Sequence, residues 1–340
     1  MRRTLPAAAC LLGAALALSA CGEIKTRIDP VASQAQPLTL ALDGPANATQ
    51  AGIFLARSDG ALTRAGIDLQ VTTASSSEQA LDEVEAGKVD VAIATEPEVM
   101  LARNRHDKVL SFAAITQGPQ ATIVSIKRRK HRAIASVRDL RGAHVGVSGL
   151  ASESALLSTM LRRAGVPSGR VKRVDVSANP AAALLSGRVD AYYGDDASAV
   201  AAALRSRHKG VEVVPADKLG LLRYDGLVFA TRIFYYAPHL TLLRRFVQAI
   251  GRGYEAVRAD PSAGVQALQA ARSGLDPALA SSVLTTTLPE LFPAAGHPWG
   301  WQNQNAWNAF GRFLTSQEVI SAPGAWERAS VNQLLAGQGP

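Results

Sequence analysis

Cysteine is nearly absent: the 340 residues contain two, Cys10 and Cys21, both close to the start. Beyond residue 21 no thiol is available for a disulfide, a thiolate zinc cage or a cysteine nucleophile, so a folded domain there must be held by burial alone. Aromatic residues make up only 5% of the chain. The one basic run, Lys127-Arg-Arg-Lys-His-Arg132, has no ring interleaved with it, whereas single-stranded nucleic acid is gripped by alternating charge and stacking platforms. It therefore reads as a solvated loop tip, or as a weak attraction to anionic lipid heads, and no nucleic-acid partner is expected. The six histidines, His106, His131, His144, His208, His239 and His297, are scattered without metal-ligand spacing. Neither a Gly-x-Ser-x-Gly elbow nor a Walker loop occurs. Together these absences argue against an enzyme with a covalent or metal-centred mechanism, and no cofactor is expected.

No apolar run is long enough to span a bilayer. The longest, residues 5–18, follows Arg2 and Arg3 and ends in Leu18-Ser-Ala-Cys21. A charged start, a short apolar middle and small residues before the cut define a secretory signal, and Cys directly after them is the pattern of a lipoprotein signal. The expectation is a signal peptide over 1–20, lipid attachment at Cys21 and a polar, aperiodic tether over 21–37. An ordinary signal peptide with an incidental Cys21 is the alternative. The formal net charge is +8, of which Arg2 and Arg3 would leave with the signal.

What the chain has in their place is a repeat. Ala86-Gly-Lys-Val-Asp-Val-Ala-Ile-Ala-Thr-Glu-Pro97 is echoed by Ser186-Gly-Arg-Val-Asp-Ala-Tyr-Tyr-Gly-Asp-Asp-Ala197. Each reads as a helix end, a Gly turn, a basic residue and an apolar strand stopping at polar residues. The echo runs backwards too: Leu62-Thr-Arg-Ala-Gly-Ile67 with a strand at 69–71 and a Ser-rich turn at 75–77 matches Leu161-Arg-Arg-Ala-Gly-Val166 with a strand at 171–176 and a turn at 177–180. Such alternation of strand and helix predicts two similar α/β lobes, each a parallel sheet covered by helices. A first strand over 38–42 leads into a loop and a helix that continues to about residue 65. Past 230 the chain reads as helical to its end.

On these residues the chain resembles ABC-transporter solute-binding proteins of the group that binds pyrimidine precursors of thiamine, with sulfonate and nitrate binders as more distant kin. The resemblance rests on Asp43, Asn47 and Gly52, Ala65-Gly-Ile-Asp68, Ser75-Ser-Ser-Glu78, Gly87-Lys-Val-Asp90, Glu96-Pro-Glu-Val99, Leu184-Leu-Ser-Gly-Arg-Val-Asp190, and the tail residues Trp299, Trp301, Trp307 and Asn332. It implies a two-lobed periplasmic-binding-protein fold of type II, with a first lobe over 38–122 and 226–340 and a second over 123–225. Two crossovers at a hinge would join them, leaving through Ala121-Thr-Ile-Val-Ser-Ile126 and returning through Leu227-Val-Phe-Ala230. The implied function is capture of a small solute between closing lobes, on the outer face of the cytoplasmic membrane, by a monomer that docks on a permease driven by an ATPase.

In open α/β sheets a ligand sits beyond the carboxyl ends of the strands. Position along the resemblance therefore nominates Asp43, Asn47, Gln50, Ser76, Thr95, Glu96, Gln117, Ser148, Gly149, Asn179 and Asp195, with Glu96 and Asn47 foremost. Ser148-Gly149 before a helix is either an anion or carbonyl cradle or an ordinary cap. Asp195 and Asp196 either meet the ligand or cap a helix, and the three Trp either stack a planar ligand or pack the tail. The group's ring-clamping aromatics are replaced here: Gly44 stands at one position, Thr95 at another, and Gly194-Asp-Asp-Ala-Ser198 takes the place of a Trp-containing loop. The ligand is then a pyrimidine or a different solute, such as a sulfonate, a riboflavin-like ring or a cation. A pyrimidine-synthase-like enzyme and a lipoprotein sensor are the readings from other classes.

Overall fold

The computed structural model describes residues 35–119, 121–127, 134–207, 210–322 and 324–337. The signal, the Cys21 attachment and all but the last residues of the tether fall outside them, as does most of the basic run at 127–132.

The first part of the chain alternates as the repeat predicts: β1 (Gln36–Leu42), α1 (Ala51–Ser58), α2 (Ala61–Arg64), β2 (Ile67–Thr73), α3 (Ser77–Glu85), β3 (Val91–Ala94), α4 (Glu96–Asn104) and β4 (Val109–Ala114). The second part runs β5 (Thr122–Ile126), β6 (His144–Val147), α5 (Ala151–Arg163), β7 (Lys172–Asp175), α6 (Pro180–Ser186), β8 (Ala191–Gly194), α7 (Ala197–Arg205) and β9 (Val211–Val214). The chain then returns through β10 (Val228–Arg232) and continues as α8 (Ile233–Tyr236), α9 (Leu240–Ala259), α10 (Pro261–Ala271), α11 (Pro277–Thr287) and α12 (Gln304–Ser316).

Two five-stranded sheets result, in the orders β2-β1-β3-β10-β4 and β7-β6-β8-β5-β9. In each, four strands run one way and the fourth in the row runs against both neighbours. That reversed strand is the one entering from a crossover: β5 opens the second sheet, and β10 comes back to fill the gap between β3 and β4. The sheets are thus mixed, with a parallel majority. β3 and β4 are buried along their whole length, because helices cover both faces, and they read as unbroken apolar runs for that reason.

The repeated Gly-Lys-Val-Asp and Gly-Arg-Val-Asp have a structural explanation. Gly87 and Gly187 take φ of 73° and 78°, a left-handed turn that a side chain would strain. The Asp that follows locks the turn to the neighbouring parallel strand, β1 in the first lobe and β6 in the second. The Asp90 carboxylate accepts from Thr39 N at 2.9 Å and Thr39 Oγ1 at 2.7 Å, and that of Asp190 accepts from His144 N at 2.8 Å.

Two expectations are corrected. The first helix does not run on to residue 65: Gly60, at φ 78°, breaks it into α1 and α2. Nor is the tail helical throughout. After α12 it turns back and Ser330 bridges in parallel to Ser111 of β4, where Gln302 and Asn332 exchange backbone and side-chain hydrogen bonds. The Trp residues pack this tail. Trp299 stacks on Tyr254 at 4.7 Å, Trp301 on His297 at 3.7 Å, and the buried Trp307 donates its indole N–H to Asp225 at 2.8 Å. Among the described residues no helix is long and apolar enough to cross a membrane.

Candidate ligand-binding cleft

The loops after β1, β2, β6, β7 and β8 converge on a cleft of about 560 Å³. Both lobes line it. The first supplies Asp43, Asn47, Ser76 and an apolar wall from Leu275 to Val283; the second supplies Ser148, Glu153, Ser177, Asp195, Asp196 and Ser198. α11, which carries much of the apolar wall, packs against α7 of the second lobe.

On the first lobe, β1 ends at Leu42 and the loop that follows holds Asp43 by way of Gln50. Gln50 has no exposure; its Nε2 donates to Asp43 Oδ1 at 2.7 Å, and its Oε1 accepts from Asn47 N at 3.3 Å. Asn47 Oδ1 is committed to the turn, accepting from Thr49 N and Oγ1 at 3.0 and 2.6 Å. Gln50 is thus a support beneath the cleft, while Asp43 and Asn47 reach it.

On the second lobe, the Ser148 cradle is filled from within the chain. Ser148 N and Oγ donate to Glu153 Oε2 at 2.8 and 2.7 Å, so the anion that occupies it is a carboxylate from the first turn of α5. Asp196 stands at the N-terminus of α7 but makes no side-chain cap bond. Its Oδ1 accepts from Tyr192 Oη at 2.5 Å. No donor among the described residues reaches the carboxyl of Asp195. Asp196 thus does not cap α7, and both carboxyls line the cleft.

These carboxyls are hard to ionise. Water reaches Asp43, Asp195 and Asp196, yet they lie in a concavity walled by protein, where charge is poorly solvated. Burial pushes Asp43 up to about 6 against the Gln50 hydrogen bond, with the Asp196 charge adding to the push. Burial likewise lifts Glu153 to about 7, although the Ser148 bonds pull it down. Asp195 stands well above the carboxylate range through burial first, then the charges of Glu153, Glu98, Asp196 and Asp43. Burial also raises Asp196, with the Tyr192 bond opposing it. Beside them, Glu98 Oε2 and Tyr193 Oη are buried and unpartnered among the described residues.

The other nominated residues do not line the cleft. Thr95 caps α4 through Glu98 N at 3.3 Å. Glu96 is fully buried, accepting from Asp225 N at 2.7 Å; burial and then the Asp225 charge hold it well above the usual range. Its place is under the return crossover, where it joins Asp225 and Trp307, and the expectation that it leads ligand contact gives way to this anchoring role. Gln117 donates to Trp301 O at 3.0 Å and lines a separate cavity of about 500 Å³ beside the crossovers. Gly149 makes a turn at φ 90°. Asn179 is an exposed cap of α6, accepting from Ala182 N at 2.9 Å. Sequence reasoning missed Glu153 and the α11 wall. Glu153 had a signal, an acid in the first turn of a helix that starts at the cleft; the wall, far downstream, had none.

Two α/β lobes with a solute-sized cleft between their strand ends define the class of two-lobed periplasmic binding folds. Residues 47–264 match the family described as NMT1/THI5 like, and the chain belongs to that family. It is 25% identical over 319 residues to the formylaminopyrimidine-binding protein of Halalkalibacterium halodurans, covering 92% of this chain and 94% of that one. With the riboflavin-binding protein RibY of Chloroflexus aurantiacus it shares 29% over 217 residues, 60% of this chain and 59% of the other. The fold superposes on the alkanesulfonate-binding protein SsuA of Xanthomonas axonopodis pv. citri, bound to MOPS, with a TM-score of 0.67 at 18% identity, over 87% of this chain and 98% of that one.

Proposed function

We propose that the chain is the extracytoplasmic solute-binding subunit of an ABC importer, tethered by a lipid on Cys21 and delivering a small nitrogen heterocycle, of the kind of a pyrimidine precursor of thiamine, to a permease. The observation that carries this reading is the cleft itself. Its polar groups come from both lobes, so a solute seated there touches both and favours their closure about the crossovers. Asp43, Asn47, Ser76, Ser148 and Asp195 meet the ligand, with Glu153 beside them, and the wall formed by Leu275, Leu279 and Val283 covers an apolar ring. The lining is rich in acceptors and so fits a ring bearing amino N–H groups. The formylaminopyrimidine-binding relative, which matches along nearly the whole chain, supports the same choice.

A thermal-shift screen of the purified chain against aminopyrimidines, flavins, sulfonates and polyamines tests it. A ligand at about 100 times its dissociation constant stabilises by about 2.7 kcal/mol, a rise of several degrees. Absence of any response across heterocycles and other small solutes would remove the receptor reading.

A further inference from the structure

The cleft is lopsided in charge. Five carboxylates line it, Asp43, Glu153, Asp195, Asp196 and Asp276, against one cation, Arg272. Arg272 keeps its charge while donating one bond to Ala46 O at 2.8 Å. Asp276 is spent on capping α11 through Ala278 N and Leu279 N at 2.9 and 3.1 Å, and Glu153 on the two Ser148 donors. Asp43, Asp195 and Asp196 remain. They are supplied by opposite walls, Asp43 by the first lobe and the other two by the second, close enough for Asp43 to feel both Asp195 and Asp196.

A shortage of donors is an independent observation. The Asp195 carboxyl, which lines the cleft, receives no hydrogen bond from the described residues; Glu98 Oε2, buried without a partner among them, is outside the lining. A polar group left so in a poorly solvated place is costly unless something else supplies the donor. The described acids do not converge as a metal site would require: no group of three or more His, Cys, Asp or Glu there is placed to hold a metal ion.

We infer that the solute is an organic cation, whose charged N–H group sits between Asp43 on one lobe and Asp195 and Asp196 on the other, and whose apolar part lies on the α11 wall. This rests on the solute-receptor reading and narrows it. Without a cation, closure buries carboxyls to which the protein gives few donors; a cation between them favours their ionised forms and donates to both walls, so closure is favoured. An anion such as a sulfonate finds one guanidinium, Arg272, against that excess of acids. The charge on the ligand, more than its ring, is what the cleft selects.

The test uses the purified full chain and matched probes. One pair is an aminopyrimidine with a protonated aminomethyl arm and the same ring with a neutral hydroxymethyl arm. Aliphatic diamines, a quaternary ammonium, neutral polyols and aliphatic sulfonates complete the panel. Binding is read by calorimetry at neutral pH. The expected result is a response confined to cations, with the charged member of a bound pair at least tenfold tighter than its neutral twin. In a chain carrying Asp195→Asn and Asp196→Asn, affinity for that cation falls tenfold or more, while the unliganded melting temperature does not drop. Tight binding of a neutral or anionic member without a cationic response overturns the inference and leaves the receptor reading standing. So does unchanged cation affinity in the double variant. Silence across the whole panel fails the receptor reading, and the inference with it.

Discussion

At the scale of single residues, the repeat shows how one position can take two roles. Thr95 and Glu96 follow β3 as Asp195 and Asp196 follow β8. In the first lobe the Thr95 hydroxyl caps α4 and Glu96 turns under the return crossover to meet Asp225; in the second, Asp196 makes no cap bond and the pair opens into the cleft. Sequence position told that both pairs end a strand, but whether a carboxylate faces the cleft or the crossover depends on what packs beneath it. Glu96 was misjudged for that reason, and Glu153 escaped notice because its tie to Ser148 spans a turn and a helix start. The acids carry a pH signature. Asp43 and Glu153 have folded pKa values of about 6 and about 7, above the unfolded values near 4. A raised carboxyl holds its proton more tightly when folded, so its stabilisation is complete below about pH 4 and is lost as pH rises through 6 to 7. The unliganded chain should melt several degrees lower at pH 8 than at pH 5 from this source, and Asp43→Asn with Glu153→Gln should flatten the slope in a calorimetric series. An unchanged slope in that variant would show the acids to be well solvated.

At the scale of elements, the Gly-basic-Val-Asp unit was legible because it sets local geometry twice over. A left-handed Gly ends one helix and an Asp ties the next strand to its parallel neighbour. Replacing Asp90 by Ala removes the carboxylate to which Thr39 N and Oγ1 donate, leaving the backbone N–H of that position to donate to the Thr39 hydroxyl, and should cost roughly 2 kcal/mol in urea unfolding, since hydrogen bonds to a charged group are the stronger kind. A loss below a few tenths would mean that water replaces the carboxylate. The break between α1 and α2 was harder to see. Asp59-Gly60 is a turn signal, but apolar spacing continues through Ala61 and Leu62, and both are buried, so periodicity carried across the break.

At the scale of the whole molecule, two lobes could be read from the repeat, while the crossovers were implied by the family resemblance. What could not be read is that α11, from the far end of the chain, walls the cleft; contact between segments so distant leaves no periodic trace. The discontinuity of the first lobe is itself testable. A chain stopped at residue 225 lacks β10, so β3 and β4 have no partner between them, and amide exchange should find residues 91–94 and 109–114 unprotected while β6 and β8 stay protected. Protection of β3 in that fragment would show that β1 alone sustains it. The same discontinuity orders events at birth. A ribosome delivers the second sheet whole once residue 214 has emerged, whereas the first waits with a slot one strand wide until residue 232 is out. The part made first is the part finished last, and any export route that must thread an unfolded chain is given that interval by the strand order itself.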